Sequence, residues 1–260
     1  MGMFGGNSKA SAAGCRSNLG HIIDANTLAL WRFDEPTGAT SIIDYSGNNH
    51  HWDTLASGTT RAVGKVGNGR LLSNGVLNST YCLMSNQINQ STWRGDYTIE
   101  FWVKWNGVSN GFDYAADLLT SRRNTDHYTS VYISLGSQYS ASPYNLPSAT
   151  WMRNSGTYQG CGLGVLSSSV WTHLAFVRKY NSLLWDAVGY QNGVQYSIST
   201  GNTDTDLTGA ETLVLHGYPS GIGSTAMGFG GVINDMRISN VARTPTEILE
   251  SYTRGTSYIY

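Results

Sequence analysis

Several groups of residues in this sequence could do chemistry, and their spacing decides what each can do. Glycoside cleavage needs two carboxylates facing one bond, one as acid and one as nucleophile or base. Asp113 and Asp117 are the nearest approach to such a pair, but Ala115-Ala116 separate them and no third acid follows. Glu100 has no partner carboxylate at alternate spacing in its own segment. His50-His51-x-Asp53 has the residue types of a metal site. Adjacent histidines on an extended chain point to opposite sides, so they read as ordinary polar loop residues. Cys15, Cys82 and Cys161 are odd in number and carry no CxxC spacing, so no zinc site follows; one disulfide could form, and buried free thiols are the ordinary alternative. No G-x-S-x-G and no Cys–His nucleophile motif occurs. Trp52, Tyr114, Tyr139, Tyr144, Trp151, Trp185 and Tyr218 fall in segments expected to be loops. Such rings can stack on the apolar faces of sugars or join a protein interface, and some can instead pack beneath their own loops.

Strands must position these residues. In Tyr97–Trp105, YTIEFWVKW, Ile99, Phe101, Val103 and Trp105 share one face, and Thr98, Glu100, Trp102 and Lys104 the other. Strict alternation of β-branched and aromatic residues marks a strand, and a tryptophan on the second face predicts a central strand covered on both sides. Thr27–Phe33 is a first strand, ended by Asp34-Glu35-Pro36. Tyr81–Met84, Asp117–Ser121, Tyr128–Leu135, Gly162–Leu166, Trp171–Tyr180, Leu213–His216 and Val232–Ser239 read as further strands, and Gly136–Gly160 as a long loop. Asn192-Gly193 predicts a type I′ hairpin turn inside Val188–Ser197. Thr244-Pro245-Thr246-Glu247 opens a short helix to about Tyr252, with Thr244 as N-cap and Glu247 closing a capping box. The pattern predicts an all-β, two-sheet antiparallel sandwich with one short C-terminal helix.

Composition narrows the function classes. Charged residues are 13% of 260 and the formal net charge is -1, with no Lys/Arg cluster, which argues against nucleic-acid binding. No apolar run is long enough for membrane insertion by a helix. Ala13-Gly14-Cys15 looks like a lipoprotein cleavage site, but Gly5 to Lys9 stand where an apolar region belongs, so no signal peptide is expected. Residues 1–25 are Gly/Ser/Ala-rich and are expected to form an arm tied down by a neighbouring chain; 26–254 are the sandwich and 255–260 a tail.

Seven segments in order resemble the laminin-G-like jelly-roll domains of the concanavalin A-like lectin/glucanase superfamily. They are LALWRFDE, DYSGNNH, VGKVGNGRLLSNG, YTIEFWVKW, WTHLAFVRK, YQNGVQ and FGGVINDMRISNVARTPTEILESY, spanning roughly Thr27–Tyr252. The resemblance implies a jelly roll, and modules for adhesion, carbohydrate binding or attachment to enzymes. The E-x-D-x-x-E strand motif of the superfamily's glucanases is absent. The resemblance also implies that the D-x-S-G-N turn approaches a late acidic pair and holds Ca²⁺, here through Asp44, Asn48, Asn49, Asn234 and Asp235. Asn234 stands where relatives carry Asp, and an Asx-turn satisfying its own backbone is the competing reading. The expectation is a non-enzymatic binding and assembly module, virion-borne or extracellular. As a phage structural protein it would be a capsid decoration, head fibre or tail adhesin used for host adhesion, oligomeric in its assembly, with surface glycans and virion subunits as partners. A free lectin is the first alternative and a glycoside hydrolase the second.

Overall fold

The alternation seen in the sequence becomes strands in most expected places, but not at Gly162–Leu166, where the strand ends at Gly162. The computed structural model describes residues 20–55, 59–72, 82–107, 116–122, 131–135, 147–152, 158–202, 212–216 and 227–257. The strands are β1 (Thr27–Trp31), β2 (Trp52–Leu55), β3 (Thr59–Val63), β4 (Asn68–Leu72), β5 (Cys82–Met84), β6 (Tyr97–Trp105), β7 (Ala116–Arg122) and β8 (Tyr132–Leu135). They continue with β9 (Pro147–Met152), β10 (Tyr158–Gly162), β11 (Trp171–Tyr180), β12 (Leu184–Gln191), β13 (Val194–Asn202), β14 (Thr212–Leu215), β15 (Met227–Gly228) and β16 (Gly231–Ser239). The chain closes on helix α1 (Pro245–Thr256).

The first sheet runs β13-β12-β11-β6-β16-β4-β3, with β1 also paired to β16. The second runs β10-β9-β8-β7-β14-β5-β2, with β15 parallel beside β7. The other pairings are antiparallel, and the architecture is the jelly-roll sandwich expected. β6 is central, and Ile99, Phe101 and Val103 point into the inter-sheet core with Phe176, Leu174, Ile233 and Ile238. Its other face is also covered. There Ala175, Val177, Val188 and Tyr190 form a second small core under Ile248 of α1. On β6 the cover is Tyr252 and Gly255 of α1 against Trp102, which is why that strand carries bulky groups on both faces.

Local signals account for the punctuation. Asn192 and Gly193 both have positive φ, 53° and 78°, as a type I′ turn between β12 and β13 requires. Thr244 and Glu247 form the capping box, and α1 extends one turn beyond its expected end because Gly255 fits against Trp102. The segment Gly136–Gly160, expected as one loop, contains β9 and the start of β10; β9 pairs with β8 through Ile133–Ala149 and with β10 through Trp151–Gln159. Gly and Ser masked its alternation. Residues 1–19 of the expected arm lie outside the described residues. Its last part does not stand apart from the domain, since His21 is fully buried. Cys82 and Cys161 are buried, burial pushing the Cys161 pKa up to about 12; Cys15 lies outside the described residues.

Candidate functional site

The calcium set divides into two networks that consume its donor atoms. Asp44 Oδ1 accepts from the N–H of Leu30 and Ser46, at 2.9 and 2.8 Å. Its Oδ2 accepts from Ser46 Oγ at 2.7 Å and from His50 N–H at 3.0 Å. A carboxylate has about four acceptor positions, and all four are used. Asn48 Nδ2 donates to the carbonyls of Thr27 and Leu28, pinning the turn to β1. Asn49 has φ 61°, which suits a turn. On β16, Asn234 Oδ1 accepts from Val66 N–H and its Nδ2 donates to the carbonyls of Arg32 and Asn68. Asp235 is paired with Arg32 and faces His21. Its Oδ1 takes Arg32 Nη1 and its Oδ2 takes the His21 N–H, so neither oxygen is open to an ion. These residues do not fit a calcium ion; the self-satisfying turn describes them. His50, His51 and Asp53 also go separate ways, to Asn86 O, Asp44 N and Ser85 N, as their spacing suggested.

Two expected ligand contacts are core residues instead. Trp52 is 0% exposed and packs against Trp31, ring centroids 5.2 Å apart. Trp185 is buried on β12, with the Arg178 guanidinium 3.6 Å over its ring and Tyr180 beside it. Loop composition hid the strands that carry them. Tyr114, Tyr139, Tyr144, Tyr218 and Asp113 lie outside the described residues. Trp151 lies on β9 opposite Gln159, and Asp117 on β7 opposite Ser134.

The registers of the second sheet nevertheless gather the entry points of several expected loops. Ala116 pairs with Leu135 and with Met227, and Leu135 pairs with Pro147. His216 N–H donates to Leu118 O, so β14 also ends at this margin. Residues 116, 135, 147, 216 and 227, which border stretches 108–115, 136–146 and 217–226 in sequence, therefore lie at one end of the sheet. Tyr114, Tyr139, Tyr144 and Tyr218 belong to those stretches. Trp151 is four residues along β9 from that margin.

A second cluster went unrecognised in the sequence. On the outer face of the first sheet, β6 supplies Glu100, β11 supplies His173 and β16 supplies Asp235 and Arg237. A bulge between Asn234 and Arg237, with Asp235 at φ 51°, permits both β16 groups to face this network. The incoming segment adds His21. His21 Nε2 lies 3.3 Å from Glu100 Oε2 and 3.3 Å from His173 Nε2; its Nδ1 lies 3.1 Å from Asp235 Oδ2. Arg237 pairs with Glu100 Oε1 through Nε and Nη2, and Arg243 Nη2 holds Asp24.

Burial acts against every charge in this cluster, and the neighbours decide the outcome. Burial would lower the His21 pKa, but Asp235 and Glu100 hold it above its ordinary value. Burial and then the charge of His21 depress His173 to about 3. Burial would raise both carboxylates. His21 and Arg237 keep Glu100 far below the carboxylate range, and His21 and Arg32 keep Asp235 at about 2.

The family described as the concanavalin A-like lectin/glucanases superfamily matches residues 74–249. The chain belongs to this superfamily. Its sandwich is similar to the binding domain of Paraclostridial mosquitocidal protein 1, with 16% identity, a TM-score of 0.59, and coverage of 87% of this chain and 52% of that one. It is also similar to the ligand binding domain of botulinum neurotoxin serotype D in complex with N-acetylneuraminic acid, at 13% identity and TM-score 0.60, covering 88% and 50%. A third similar structure is domain 4 of AbnA, a GH43 extracellular arabinanase from Geobacillus stearothermophilus, in complex with arabinotriose, at 19% identity and TM-score 0.57, covering 87% and 98%. The chain thus spans about half the length of the toxin binding domains but nearly all of the arabinanase domain. At these identities the likeness shows the lectin-like fold. No significant match is found among curated proteins. In this superfamily member the buried cluster escaped sequence reading because His21 looked like part of an arm. Only the pairing of β6 with β11 and β16 reveals that Glu100 and His173 share a face.

Proposed function

We infer that this superfamily member is a non-enzymatic surface-binding module that recognises a glycan at the end of the second sheet where residues 116, 135, 147 and 227 align. That alignment is the observation that carries the reading. Tyr114, Tyr139, Tyr144 and Tyr218 belong to the sequence stretches bordered by those residues, and aromatic faces with nearby amide and hydroxyl groups are the usual chemistry for a sugar ring. Similar folds solved with N-acetylneuraminic acid and arabinotriose support it. The commitment of Glu100, Asp235 and Asp44 to arginines or backbone N–H groups supports a binding role over an acid–nucleophile pair. Carried on a phage particle as a decoration, head fibre or tail adhesin, or free as a lectin, the same margin would face the ligand.

A glycan microarray followed by calorimetry tests the reading. Binding of a sialylated or pentose-containing oligosaccharide is expected to be lost in Tyr139→Ala and Tyr144→Ala with the far-ultraviolet spectrum unchanged, and kept in Trp151→Ala. Release of reducing ends from a polysaccharide, or binding indifferent to both tyrosines, would overturn it.

A further inference from the structure

Three side-chain atoms at the centre of the buried cluster form a triangle of a telling size. His21 Nε2, His173 Nε2 and Glu100 Oε2 are 3.3, 3.3 and 3.7 Å apart, and all three side chains are 0% exposed. A tetrahedral ion about 2.0–2.2 Å from nitrogen and oxygen ligands sets ligand–ligand edges of about 3.3–3.6 Å. Two imidazoles and one carboxylate are a donor set that first-row transition ions favour over calcium. Behind His21, Asp235 stands at Nδ1, where a carboxylate orients a metal-bound imidazole and fixes its tautomer.

A second observation points the same way. Glu100 Oε2 is buried and faces the two imidazoles, 3.3 Å from His21 Nε2 and 3.7 Å from His173 Nε2, while its other oxygen takes Arg237. A proton on His21 Nε2 can serve Glu100 Oε2 or His173 Nε2, but only one of them at a time. An ion serves all three donors together. The arginines nearest the triangle, Arg237 and Arg243, approach Glu100 through Oε1, the latter at 3.7 Å, and leave Oε2 to the imidazoles, while Arg32 answers to Asp235.

We propose that His21, His173 and Glu100 form a site for a divalent transition-metal ion of the zinc class, and that the ion fastens the segment Gly20–Ala25 to the first sheet. The ion takes neutral imidazoles, so loading displaces the His21 proton. One ligand comes from the incoming segment and two from adjacent strands, so binding stabilises the folded chain over any form in which that segment has lifted.

The test uses the whole chain after chelator treatment, titrated with Co²⁺ and, separately, Zn²⁺. One Co²⁺ per chain is expected, with the intense visible bands of a four-coordinate site, together with a higher Tm in Zn²⁺. His173→Gln and His21→Gln should each abolish the bands, and His50→Gln should keep them. The near-ultraviolet circular dichroism of the stripped variants shows whether they fold. If His21→Gln does not, His173→Gln alone decides. No bands and no Tm rise in the wild type at metal excess would overturn the site, leaving the proton as its occupant. Bands that survive in a folded His173→Gln chain, or vanish in His50→Gln, would overturn it equally.

Discussion

Gly255 of α1 lies flat against the indole of Trp102 on β6. A Cβ added at Gly255 would stand 2.5 Å from two atoms of that ring. Trp102 is also stacked on Tyr252, ring centroids 5.7 Å apart, and sits 5.2 Å from His173. The last turn of the helix is therefore fitted to one tryptophan.

In an exposed helix interior, glycine to alanine gains about 1 kcal/mol of helix propensity. Here the sign should reverse. Overpacking a fitted contact costs about 1–3 kcal/mol. Gly255→Ala is expected to lower stability in urea unfolding, with a change in Trp emission. A more stable variant would show that the helix end is free to shift.

Thr244 and Glu247 cap the same helix. Thr244→Ala should cost about 1 kcal/mol. The Glu247 pKa is lowered by the Thr244 backbone N–H, assisted by the Thr244 hydroxyl and Arg243. A carboxylate depressed in the folded state contributes stability above its unfolded pKa and loses it as pH falls through the folded value. The difference in Tm between wild type and Glu247→Gln should thus be present at neutral pH and shrink in acid below the ordinary glutamate range. A difference that does not change with pH would refute the assignment.

Asp44 organises its turn through backbone N–H groups rather than through an ion. Asp44→Asn replaces one acceptor oxygen by a donor facing existing donors, and should cost about 1–3 kcal/mol. Adding Ca²⁺ should leave the wild-type Tm unchanged. A calcium-dependent rise lost in Asp44→Asn would restore the metal reading of that turn.

Trp52 and Trp185 should behave as core residues. Trp52→Ala is expected to lose about 3–5 kcal/mol. Trp185→Ala removes the ring under Arg178, whose Nη1 donates to the Trp93 and Gly95 carbonyls at 2.7 and 3.1 Å. Both variants should fail by unfolding in denaturant titrations. Full stability with selectively weakened sugar binding would return these rings to the ligand.

The sandwich was legible because β6, β11 and β16 write burial into their alternation, and because Asn192-Gly193 and the Thr244 box allow few other structures. β9 was not, since Ser148 and Thr150 do not stand out from loop composition. Trp52 and Trp185 illustrate a different limit: large rings in polar-looking segments are placed by cross-strand neighbours that no local pattern names. The His21–Glu100–His173 cluster depends on residues 152 apart in sequence meeting on one face. Pairwise register decides that, and a single strand's periodicity carries no trace of it.

The stitching of residues 20–25 also has a mechanical side. Asp235 accepts from His21 N–H, Arg237 donates to Ile22 O and Arg243 grips Asp24. Tension applied ahead of Gly20 meets these side-chain clamps before it reaches the β1–β16 ladder. The clamps are anchored in β16, a fully buried interior strand, and at the foot of α1. A domain hung from its N-terminal end would pass force into its middle, where strands resist in parallel, and would be slow to peel from its edge.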